Sequence, residues 1–151
     1  MNADAAQAWF IAGTTPLILA GGLHVLATLL DTVRPTFFTP IESSAKAAVE
    51  GTGIRFWRMF GGGGGATQSM WRAWLGFNIS HGLGVFAFGL LCLLIATHDF
   101  ELVERIDAIR PLTIAFSGAL LAISLRFFFY GPAIITGTST ACFIVATVLS
   151  A

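Results

Sequence analysis

"AWLGFNISHGLGVFAFGLLCLLIATH", Ala73 to His98, decides the fold, because no Asp, Glu, Lys or Arg falls between Arg72 and Asp99. An uncharged run longer than the roughly 20 residues that carry an α-helix across about 30 Å of hydrocarbon reads as a membrane span. A second such run lies between Asp4 and Asp31. From Pro111 to Ala151 the only formal charge is Arg126. That stretch is too long for one helix, and "YGP", Tyr130 to Pro132, divides it, since a proline after a glycine turn opens a new helix. Four spans are therefore expected, near Ala8 to Leu30, Ala73 to Thr97, Ile109 to Phe129 and Ala133 to Ser150, with a first loop over residues 31–72.

Composition agrees with that reading. Hydrophobic residues make up 56% of the chain and charged residues 11%, against about 25% charged in soluble domains; the mean hydropathy is +0.81. A transmembrane barrel is excluded, because it needs many short segments of alternating polarity rather than long apolar runs. The expected fold is all-α: one four-transmembrane-helix bundle occupying residues 1–151, with a first loop of about forty residues that carries interfacial segments. The net charge is zero and no basic stripe exists, which leaves no nucleic-acid partner to expect.

"MNADAAQAWF" places no Lys or Arg ahead of the first apolar run, so the basic region of a cleavable signal is lacking and the first span is expected to stay. Neither a myristoylation start nor a prenylatable carboxyl-terminal cysteine is present. Cys92 and Cys142 fall inside spans and read as small packing residues. Arg34, Lys46, Arg55, Arg58, Arg72 and Arg126 lie on the side of the first loop, and only Arg105 and Arg110 on the other. Basic residues near spans favour the cytoplasm. The expected placement is a bacterial inner membrane, with the first loop cytoplasmic and both termini outside.

Within the first loop, "IRFWRMF" alternates arginine with bulky apolar groups. Arg55 and Arg58 can face phosphate while Trp57 and Phe60 enter the headgroup boundary, as in segments that lie on a bilayer. The run Gly61 to Gly65 is followed by "ATQSMW" and lacks the Gly-Lys-Ser/Thr of a phosphate loop, so it reads as a linker. Ile41 to Val49 reads as a short helix with Ser43 or Ser44 near its start.

Two histidines stand inside spans. Steps of three and four align Trp74, Phe77, Asn78, His81, Gly84, Val85, Phe88 and Cys92 on one stripe, and Gly13, Leu17, Ala20, Gly21, His24, Ala27, Thr28 and Asp31 on another. Both mix small and polar groups and are expected to turn inward. His24 and His81 lie at about the same depth, roughly 9 to 12 Å from the helix ends at 1.5 Å per residue, with Asn78 one turn away and Arg126 in the same half.

Three readings compete for this layer. Neutral histidines can hold helix register through bonds of about 0.6 to 2 kcal/mol each. His24 and His81 can be axial ligands of a b-type haem, which would make the protein an electron carrier. Asn78 and Arg126 can instead complete a site for a small or lipidic substrate in an enzyme or transporter. No intramembrane Asp or Glu is available to complete a metal shell, and Ser80 points about 100° from His81 with no nucleophile elbow around it.

"LAGGLHVLATL" followed by "MWRAWLGFNISHGLGVF" resembles a family of small bacterial four-helix integral membrane proteins without an assigned activity. The likeness lies in the glycines before His24 and in Trp74, Gly76, Phe77, Ser80 and His81. It implies a single all-helical domain and no particular chemistry. The expectation is a non-catalytic accessory subunit of a larger membrane complex, or a homo-oligomer, resident in lipid and without a cofactor; haem b is the alternative.

Overall fold

The computed structural model describes residues 3–40, 42–51, 53–54 and 68–150. Six helices account for nearly all of them: α1 (Ala3–Val33), α2 (Ser43–Gly51), α3 (Met70–His98), α4 (Phe100–Arg105), α5 (Ile109–Phe127) and α6 (Tyr130–Leu149). One short antiparallel pairing joins β1 (Gly53–Ile54) to β2 (Gln68–Ser69), with Gly53 opposite Ser69. α1, α3, α5 and α6 are each long and apolar enough to cross a membrane. Residues 55–67, with Arg55, Trp57, Arg58, Phe60 and Gly61 to Gly65, lie outside the described residues.

α1 and α3 outrun the expected spans because a charge ends a hydrocarbon crossing without ending a helix. α1 runs on through Asp31, and α3 starts two residues ahead of Arg72, whose amide is capped by the Ser69 hydroxyl at 3.3 Å. Pro16 sits inside α1. The hydroxyls of Thr14 and Thr15 both donate to the Ile11 carbonyl, at 2.7 and 3.2 Å.

The α5–α6 break falls earlier than "YGP". Phe128 and Phe129 are extended and α6 begins at Tyr130, with Gly131 and Pro132 in its first turn. The first amides of a helix have no partner within it, so proline there forfeits no hydrogen bond. A Cβ on Gly131 would lie 2.9 Å from the ring of exposed Phe129, which would have to turn aside.

Two compact units are present. One comprises the described residues of Met1–Gly22 and Gly84–Ala151. Its core is Phe10, Leu17, Val85, Cys92, Ala96, Val103, Phe143 and Ala146. Phe10 meets Phe143 edge-on at 5.1 Å, and Phe88 stacks on Phe116 at 4.0 Å. Gly13 admits Phe143, and Gly89 admits Ile18, each with a Cβ position 3.0 Å from the neighbour. Small residues here set how closely helices approach.

Small polar residues also line the buried faces of α5 and α6. Thr113, Ser117 and Ser124 of α5, and Thr136 and Ser139 of α6, are buried. Their role is packing rather than adhesion between helices. Thr113, Ser117, Thr136 and Ser139 return their hydroxyls to carbonyls three or four residues back in their own helices. The cross-helix bond comes from Arg110, whose Nη1 donates to the Ser150 hydroxyl at 2.9 Å.

The other unit, Leu23–Leu83, contains the second part of α1, the first part of α3, and α2. Both intramembrane histidines belong to it.

Candidate functional site

Gly82 explains how the histidine layer forms. A Cβ at this position would lie 2.9 Å from Val25 Cγ2, 3.0 Å from His24 Cδ2 and 3.1 Å from the Val25 amide nitrogen. The backbone of α3 therefore rests directly against α1 beside His24. One turn away, Asn78 is buried and faces the same partner.

The hydrogen bonds fix the chemistry of this contact. Asn78 Nδ2 donates to the Trp74 carbonyl at 2.8 Å, which turns Oδ1 toward His24 Nε2 at 3.1 Å. An amide oxygen only accepts, so His24 carries its proton on Nε2 and donates it. The Thr28 hydroxyl, fully buried, donates to the His24 carbonyl at 2.8 Å. The chain Trp74–Asn78–His24 thus ties α3 to α1 through one interhelical bond. Asn78→Leu leaves the Nε2 proton without an acceptor and is expected to cost about 1 to 3 kcal/mol. A double-mutant cycle with His24→Leu, read by thermal unfolding in detergent, should recover part of that loss.

Asp31 is the anchor that sequence spacing did not identify. The residue is 1% exposed, and its carboxylate accepts three backbone amides: Thr36 and Phe37 on Oδ1 at 2.7 and 2.8 Å, and Phe38 on Oδ2 at 2.6 Å. The charge folds the chain back at the end of α1. That return delivers the Phe38 ring to His24, with centroids 4.8 Å apart.

His81 behaves differently from His24. It is exposed, and among the described residues its ring contacts are aromatic: stacked on Phe77 at 6.1 Å and edge-on to His24 at 5.6 Å. No hydrogen bond to a described residue engages it. The stripe read from the sequence was off-centre: buried Asn78 and Gly82 face α1, while His81 stays exposed at the margin and meets α1 through its ring against His24. Arg126 belongs to the other unit, exposed in the last turn of α5 with its guanidinium 5.2 Å from the Phe127 ring centroid.

This arrangement can hold register and present a polar ring outward. Among the described residues, no group of three or more His, Cys, Asp or Glu side chains is placed to hold a metal ion. Comparison with protein-family models, curated proteins and solved structures finds no match to this chain.

Proposed function

We propose that the protein is a non-catalytic membrane subunit that docks on another membrane protein through the face of α3 bearing His81. The exposed, unbonded His81 ring carries this reading. It lies about 16 Å along α3 from Met70, inside an otherwise uncharged span. Polar side chains at such depth turn to protein or to a water-filled cavity, because lipid tails offer no hydrogen bond. Gly84, about one turn further along the same face, is exposed, and a Cβ on it would meet nothing within 4 Å, so a neighbouring helix has room to approach. The resemblance to small bacterial four-helix proteins and the basic first loop support an inner-membrane setting with that loop cytoplasmic.

The haem alternative draws less support. As an axial ligand, His24 would offer iron a lone pair, whereas its Nε2 is committed as a donor to Asn78. The His24 and His81 rings also touch in a T-shaped contact, leaving no slab between them for a macrocycle.

One preparation tests both readings. The full chain, purified gently in detergent, is analysed by mass spectrometry for co-purifying proteins and by a dithionite-reduced minus oxidised spectrum. The expected result is a constant partner at fixed stoichiometry, lost in Gly84→Leu and weakened in His81→Leu with helicity retained, and a flat spectrum. A monodisperse homo-oligomer with no partner overturns the accessory-subunit reading. Soret and alpha bands lost in both His24→Ala and His81→Ala replace it with an electron carrier.

A further inference from the structure

Where α1 ends and α3 begins, an open cleft of about 410 Å³ is lined by Phe37, Phe38, Thr39, Val49, Trp71 and Trp74 among others. Its volume lies within the range of small-molecule sites, about 300 to 1,000 Å³. Its walls are almost entirely apolar and come from three sources: the return held by Asp31, one side of α2, and the first turns of α3. The position is as informative as the lining. Val33 and Met70 terminate two membrane-crossing helices, so the cleft opens at the level where tryptophan rings settle between headgroups and hydrocarbon.

A single polar feature stands out. The Thr39 hydroxyl oxygen is buried in the cleft wall with no hydrogen-bond partner among the described residues, so its side chain must turn into the cleft to meet a ligand. A buried hydroxyl left unmatched is costly, and a ligand that accepts from it removes the cost. The occupant is therefore largely hydrocarbon and carries an acceptor near one end. A bilayer supplies that chemistry at this depth in the acyl ester, whose methylenes suit aromatic walls and whose carbonyl sits just below the headgroup.

We propose that this cleft binds one glycerophospholipid by an acyl chain, with the Thr39 hydroxyl donating to the ester carbonyl. The three amide bonds to Asp31 hold Phe37 and Phe38 in place before the lipid arrives, which lowers the ordering cost of binding. This site is independent of the His81 face, and either assignment can fail alone.

Tryptophan quenching reads the site directly. In the full chain carrying Trp9→Phe and Trp57→Phe, Trp71 and Trp74 are the remaining tryptophans. Titrating that protein in detergent with phosphatidylcholine brominated along its acyl chains should quench fluorescence saturably, at about one lipid per chain. Thr39→Val keeps the shape, removes the donor, and should raise the half-saturation point about fivefold. Val49→Phe fills the cleft and should abolish the saturable phase, with native mass spectrometry showing loss of the one retained lipid. Quenching that rises linearly with lipid, and identically in all three proteins, overturns the site. Equal saturation by a brominated free fatty acid overturns the ester assignment. Should Val49→Phe lose helicity, the near-isosteric Thr39→Val decides.

Discussion

Asp31→Ala is expected to lower stability by about 3 kcal/mol or more, the largest effect of any single side-chain truncation in the Leu23–Leu83 unit. The residue is buried, and its carboxylate accepts three amides at 2.6 to 2.8 Å. Hydrogen bonds to a charged group contribute about 1.5 to 3 kcal/mol each, and deleting the acceptor leaves three donors unpaired. Water reaching the opened return offsets part of the loss, which keeps the total below the sum of the three. Asp31→Asn separates charge from geometry. Its remaining oxygen can still serve Thr36 and Phe37, while its amino group opposes the Phe38 amide, so an intermediate loss is expected. Thermal unfolding in detergent, followed by tryptophan fluorescence, gives the ranking wild type, Asn, Ala. An alanine variant that melts with the wild type would mean that the three bonds contribute nothing to stability.

Gly82→Ala should be disruptive out of proportion to one methyl group. Of the three atoms around the added Cβ, the Val25 amide nitrogen at 3.1 Å is backbone and cannot rotate away. The helices must part locally, and the 3.1 Å bond between His24 and Asn78 lies in the same contact. Overpacking of this kind costs about 1 to 3 kcal/mol, and Gly82→Leu should cost more. Gly76→Ala is the control on the same helix: its Cβ meets nothing within 4 Å, and alanine is about 1 kcal/mol better than glycine inside a helix. The expected pattern is a lower melting temperature for Gly82→Ala and an equal or higher one for Gly76→Ala. Equal effects at both positions would show that the close approach at Gly82 is not what holds α1 and α3.

The four long apolar helices were legible because charge is scarce enough for its gaps to mark them. Their ends were less so: Asp31 and Arg72 delimit the apolar stretch while the helices continue past both. α4 went unread although Asp99 offers a cap, its side chain accepting the Leu102 amide at 3.2 Å, because six residues give too little periodicity to recognise. At the site, helical spacing found His24, Asn78 and His81 but could not tell the contact face from its margin, where His81 touches His24 yet stays exposed. Asp31 read as a helix end. Its partners lie five to seven residues ahead in a non-helical return, where no periodicity points back to the carboxylate.

The unequal lengths of the crossing helices have a consequence for the surrounding bilayer. Residues 5–30 of α1 are uncharged and extend about 39 Å as a helix, whereas the uncharged part of α5, residues 111–125 between Arg110 and Arg126, extends about 22 Å. Hydrocarbon about 30 Å thick matches neither. The long helix is accommodated by tilting, the short one by snorkelling arginines and local thinning, each at fractions of a kcal/mol per Å of mismatch. In a bilayer of uneven thickness such a pair of helices is expected to favour the regions where the two mismatches balance.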